Sequence, residues 1–83
     1  MPFPPHAPDL IRERVKTGVL PSNAPLKMWA GRGQGDVCVG CDQPIDPSQI
    51  EYEMSYEDKP AFRFHLGCAG LWEAEFRRLR HSR

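Results

Sequence analysis

The chain predicts a small α+β domain stapled by a metal ion, and three observations carry that expectation. The first is "CVGC" at Cys38 to Cys41, followed after 23 intervening residues by "HLGC" at His65 to Cys68. Two close pairs of soft or borderline ligands are what a tetrahedral metal needs. The second is the run in which Ile50, Tyr52, Met54 and Tyr56 alternate with Glu51, Glu53, Ser55 and Glu57, a period of two that marks a half-buried strand. The third is Cys68, Leu71, Trp72, Phe76 and Leu79, spaced mostly by three and four as on one face of a helix.

Length makes the staple expected. A chain of 83 residues buries too little apolar surface to be comfortably stable without one. Hydrophobic content of 40% with 27% charged residues is ordinary for a globular domain, but nine prolines and seven glycines imply much irregular chain. Six of those nine prolines precede residue 26. Residues 1–8, with prolines at four positions, are expected to be a disordered N-terminus.

Taken in order, Asp9 can cap a helix in which Leu10, Ile11 and Val15 share a side, and Gly18 stops it. A helix of about two to three turns is too short to stand alone. It must dock, either on the rest of the chain or on a partner, which makes Leu10 and Ile11 candidate apolar partner contacts. Residues 19–36 read as an irregular loop, since Pro21 and Pro25 exclude a continuous helix and Gly31, Gly33 and Gly35 disfavour a stiff strand. Leu20, Leu26, Met28 and Trp29 are the residues that could pin it, with Trp29 also a candidate partner contact. "GRGQG" lacks the spacing and flanking elements of a phosphate loop and reads as a flexible turn. The helix and loop thus occupy 9–36, and the metal-binding domain 37–83.

In that domain the strand from Ile50 is followed by turn chemistry in "EDKP" and a second strand in which Phe62 and Phe64 alternate with Arg63. The pair reads as a β-hairpin with an acidic outer face. A C-terminal helix is expected from about Leu66 to His81, with Glu73, Arg77, Arg78 and Arg80 mostly on its outer side.

The ligand set reads as Cys38, Cys41, His65 and Cys68. In "CVGC", Gly40 permits a tight curl with both sulfurs inward and backbone N–H groups donating to them. His65 ends a strand, and Cys68 sits in the first helical turn, where the helix dipole favours a thiolate. Three thiolates and a neutral imidazole around one Zn²⁺ carry a net charge of minus one. With every position filled by protein the zinc is structural, with no site for a reactive water, and its removal should leave the chain partly or wholly unfolded. Other readings weigh less. A redox pair would need a βαβ context, which is absent. A c-type haem site would need histidine directly after Cys41, where Asp42 stands. Inert buried cysteines with a chance histidine remain a further alternative, and His6 and His81 are expected at the surface rather than on the metal.

Knuckle, hairpin and a helix opening with the last ligand pair resemble a treble-clef zinc finger. The segment "CVGCDQPI…FRFHLGC" is similar to the first zinc module of a LIM domain, over about Val37 to Phe76. The second zinc module is missing: Leu71 stands where its first cysteine would be, and none follows. The resemblance therefore implies the single site, and not LIM-type partner recognition.

Treble-clef nucleases add a second metal site with further histidines. Here His65 is committed, Glu51, Glu53 and Glu57 have no histidine partner, and no nucleophile and base are paired, so the protein is expected to be non-catalytic with no small-molecule substrate. Two binding readings follow. Either the protein is an interaction or regulatory adaptor for an unknown protein partner, or it is a nucleic-acid-binding finger using Arg77, Arg78 and Arg80. Eleven basic and eleven acidic residues give no net charge, and the hairpin face is acidic, whereas a duplex reader usually shows a basic excess. That favours the adaptor. No apolar run approaches the roughly 18 residues that span a bilayer, no signal-peptide pattern opens the chain, and an odd cysteine count suits a reducing compartment. A cytoplasmic protein without a membrane partner is expected.

Overall fold

The computed structural model describes residues 3–81, except for the side chains of Arg80 and His81. It has the expected α+β architecture, in the order α1 (Ala7–Lys16), β1 (Lys27–Arg32), β2 (Ile50–Ser55), β3 (Phe62–His65) and α2 (Leu66–His81). The strands form one antiparallel sheet in the order β1-β2-β3.

Helix α1 begins three residues earlier than expected. His6 holds the N-cap position without a side-chain capping bond, and Asp9 lies in the first turn, where its charge still complements the dipole. The proline tract makes this possible: Pro8 falls in the first turn, where a missing N–H costs nothing. Of the stretch expected to be disordered, Met1 and Pro2 lie outside the described residues, Phe3 packs half-buried against the core, and Ala7 is fully buried. At the other end, Thr17 donates its N–H to the Glu13 carbonyl at 2.9 Å and Gly18, at φ +85°, turns the chain as expected. The helix docks on α2, with Ile11 at 0% exposure. Ile11 is thus a core residue and not a partner contact, and Leu10 is half-buried.

Residues 27–32, expected to be irregular, form the strand β1. Its six residues are all exposed, so no period of two marks them. Pairing with β2 makes the strand, with Met28 opposite Met54 and Ala30 opposite Tyr52. The chain before it is pinned from the core: Trp72 Nε1–H donates to the Pro21 carbonyl at 2.8 Å and the Tyr56 hydroxyl to the Asn23 carbonyl at 2.6 Å.

The glycines of "GRGQG" serve packing and turning. A Cβ on Gly33 would lie 2.2 Å from the Asp46 carbonyl oxygen and 2.6 Å from that of Ile45, and Gly35 turns at φ +89°. Both contacts at Gly33 are backbone, so no side chain can swing aside. Gly33→Ala is expected to lower stability by about 3 kcal/mol, the upper range for overpacking. Gly31→Ala, with nothing within 4 Å, is the near-neutral control. Urea unfolding at fixed metal concentration measures both, and equal midpoints would show that the segment yields freely.

The faces of β2 differ from the expected split. Met54 is buried and Tyr52 half-buried, but Ile50 at the strand's start is 49% exposed, and Glu51 is only 9% exposed. Arg63 on β3 explains the buried acid. Its Nε lies 3.5 Å from Glu51 and 3.5 Å from Asp36, and its terminal nitrogen 3.7 Å from Glu53. The acidic face is therefore partly neutralised within the sheet. On the other face, Phe64 stacks on Trp72 at 5.3 Å between centroids and Trp72 meets Phe76 at 4.8 Å, forming the core between sheet and α2.

Candidate metal centre

The first ligand pair sits on a tight turn. The Cys38 N–H donates to the Gln43 carbonyl at 2.8 Å and the Asp42 N–H to the Cys38 carbonyl at 2.9 Å. The residue in the left-handed region is Asp42, at φ 66°, a conformation that aspartate tolerates. Gly40 is needed for a different reason than the expected curl. A Cβ there would lie 3.0 Å from Ile11 Cδ1 and 3.1 Å from Cys68 Cβ, so its bareness lets the turn wedge between α1 and α2.

The second pair is delivered by the junction of β3 and α2, which meet without a loop: His65 ends the strand and Cys68 is the third residue of the helix. The Val39 N–H bonded to the Arg63 carbonyl at 2.9 Å ties the turn to β3. As a result, Cys38, Cys41, His65 and Cys68 are all buried, and one ligand atom from each lies within 4.8 Å of the others. On a tetrahedral zinc, ligand atoms stand about 3.3–3.8 Å apart, as bond lengths of about 2.0–2.3 Å require. A small contraction of the cluster therefore suffices to hold one ion.

The histidine is oriented for this task. Its Nε2 lies 3.0 Å from the Pro44 carbonyl oxygen, which only accepts, so Nε2 carries the proton. Nδ1, 3.3 Å from Cys41 Sγ, then presents its lone pair to the sulfurs, the arrangement by which an outer partner fixes a ligating tautomer.

The sulfurs divide their protons unequally. Cys38 is held down to about 5, chiefly by its hydrogen bond with the Cys68 thiol, which outweighs burial; backbone N–H groups of His65 and Gly40 add to the effect, each 3.3 Å from the sulfur. Cys68 is pushed up by that same hydrogen bond and by burial, and Cys41 is pushed up mainly by burial. Three neighbouring thiolates therefore need a cation among them to ionise together.

One supporting group escaped the sequence reading. Arg14 donates from one terminal nitrogen to the Val39 carbonyl at 2.8 Å and to Asp42 at 3.0 Å, and from the other to Asp42 at 2.8 Å. This fork clamps α1 onto the ligand turn, and its positive charge lies near the thiols of Cys38 and Cys41. The only sequence hint was an arginine at the border of the apolar stripe, beside Val15. The Arg14 hydrogen bond holds the Asp42 carboxyl below its ordinary range. A depressed carboxylate contributes stability above its unfolded pKa and loses it as pH falls through the folded value. Asp42→Asn, which keeps tolerance for the left-handed backbone, is therefore expected to cost about 0.5–1 kcal/mol, as exposed ion pairs do, with the same cost at pH 6 and pH 8. A cost that changes across that interval, measured by urea unfolding at the two pH values, would assign the effect to another group.

The remaining candidates are placed as follows. His6 is exposed, and its Nε2 lies 2.9 Å from the Cys41 carbonyl oxygen, outside the ligand cluster. Arg77 and Arg78 pair with Glu73 and Glu75 of their own helix at 2.7 and 3.0 Å, and the side chain of Arg80 lies outside the described residues, as do the side chain of His81 and all of Arg83. Trp29 is 56% exposed, with Lys27 Nζ 6.0 Å from its ring centroid. Among the described residues no helix is long and apolar enough to cross a membrane. No protein-family model, curated protein or solved structure matches the chain, so the centre is read from its own geometry.

Proposed function

We propose that the protein is a non-catalytic interaction module or regulatory adaptor whose rigid hairpin and helices are held by one structural zinc ion. The observation that carries this reading is the buried set of three cysteines and one histidine with ligand atoms within 4.8 Å. Three sulfurs and an imidazole nitrogen in a tetrahedron suit Zn²⁺ better than the oxygen-preferring divalent ions. The zinc would supply folding energy, and four protein ligands leave no position for a reactive water. The order of ligand turn, hairpin and helix keeps the resemblance to a treble-clef finger. Three free cysteines suit a reducing compartment such as the cytoplasm.

A protein partner is favoured over nucleic acid because Arg77 and Arg78 already spend their charge on Glu73 and Glu75, while apolar side chains at Leu26, Met28 and Trp29 stand 69%, 51% and 56% exposed. Metal analysis of the purified chain is expected to give one zinc per chain; a chain that folds without metal overturns the staple. Binding to mixed DNA and RNA at low salt is expected to be weak and insensitive to alanine at Arg77, Arg78 and Arg80. Tight binding that falls steeply with salt and vanishes in that variant would overturn the adaptor reading.

A further inference from the structure

Strand β1 is an open edge with a groove behind it. It has one neighbour, β2, and among the described residues none of its backbone groups bonds outside that ladder. Helix α2 packs on β2 and β3 and leaves β1 uncovered. Between this overhanging strand and α2 lie a cavity of about 550 Å³, bounded by Leu26, Met28, Trp72 and Phe76, and one of about 240 Å³, bounded by Met28, Tyr52, Ala69 and Trp72. They share Met28, Trp72 and Glu73, and so form one trough under the strand, lined by these apolar side chains and by the paired Glu73 and Arg77.

The charge along this edge identifies its occupant. Lys27 and Arg32 stand at the two ends of β1 and make no ion pair among the described residues. Of the neighbouring acids, Glu53 faces Arg63, Glu73 pairs with Arg77, and Glu51 is buried beside Arg63 with one carboxylate oxygen unpartnered. A second copy of the chain fits poorly. Strand β1 carries two cations and no acid, so two β1 strands set edge to edge gather four positive charges along one seam with no opposite charge from either strand. The inner edge shows what β1 accepts: apolar Met54 and Tyr52 stand opposite Met28 and Ala30.

We propose that β1 takes an extended segment of a protein partner as a fourth, antiparallel strand, with the pattern acidic-x-apolar-x-apolar-acidic. Its acidic ends lie opposite Arg32 and Lys27, and its apolar residues opposite Ala30 and Met28, above the trough. Main-chain hydrogen bonds to the open edge supply affinity, and the trough and the two cations supply selectivity. The proposal rests on the protein-binding reading above and names the chemistry of the partner.

Selection from a displayed library of random hexapeptides on the full chain is expected to enrich that pattern. Labelled Glu-Thr-Val-Thr-Val-Glu should then bind saturably, with amide shifts centred on residues 26–32. The double variant Lys27→Glu, Arg32→Glu should weaken it about tenfold or more and select basic flanks instead, since reversing charge at a strand pair turns attraction into repulsion. No enrichment, enrichment indifferent to the double reversal, shifts mapped elsewhere, or self-association of the chain through β1 would each overturn the proposal. Metal content and cooperative melting of the same preparations separate the two readings. A folded chain with one zinc that selects no such peptide overturns the edge proposal alone; a chain lacking stoichiometric zinc that still selects it overturns the staple alone.

Discussion

Cys68→Ser is expected to abolish the cooperative unfolding transition and to leave a chain that stays unfolded or molten when zinc is added. A structural zinc site of this donor type contributes an apparent binding free energy of about 10–16 kcal/mol, against a net stability of about 5–15 kcal/mol for a whole domain. Without the ion the balance reverses. Cys68 is also the ligand that α2 contributes, and its Cβ sits where the ligand turn wedges against Gly40, so its loss releases helix from turn. Circular dichroism melts of the variant and of chelator-treated native protein check this. A cooperative, chelator-insensitive melt in Cys68→Ser, repeated in Cys41→Ser, would remove the structural metal from the account.

Trp72→Ala should be the most damaging change away from the metal ligands. The ring is 2% exposed and lies between Phe64 and Phe76, and truncating a buried aromatic costs about 3–5 kcal/mol. The Pro21 carbonyl loses its donor as well, and a buried acceptor left unpaired costs about 1–3 kcal/mol unless water reaches it. Trp72→Phe is the intermediate case, since it keeps a six-membered ring but removes the N–H together with part of the buried indole. Urea unfolding at fixed metal is expected to rank native, phenylalanine and alanine in that order. A Trp72→Ala cost under about 2 kcal/mol, below the usual range for such truncations, would show that the core closes around the gap.

How far each element was legible depends on what its residues had to satisfy. Helix α2 was readable because its apolar spacing and a ligand pair fall in one segment, and its bounds match the expectation, Leu66–His81. The four ligands were readable because few side chains other than cysteine and histidine make such a set, so residue type and spacing together narrow the choices. Strand β1 was not readable: both faces are exposed, so hydropathy leaves no trace, and only the ladder to β2 makes it a strand. The start of α1 was obscured by prolines that looked like disorder, although one in a first turn is harmless. Ile11 resembled a partner contact because a short amphipathic helix does not say what it docks on; here that is α2 and the ligand turn.

By itself, the sequence determined the chemistry and the strongest periodicities: an α+β chain, two pairs of metal ligands, a hairpin and a terminal helix. These are properties of residue type at short range, which a linear chain records. The tertiary structure alone decided the third strand, the clamp from Arg14 to Asp42, the buried Glu51 beside Arg63 and the requirement for glycine at Gly33 and Gly40. Each of these arises where segments distant in the chain come within a few ångströms, and a glycine kept for lack of room looks the same in sequence as one kept for a turn.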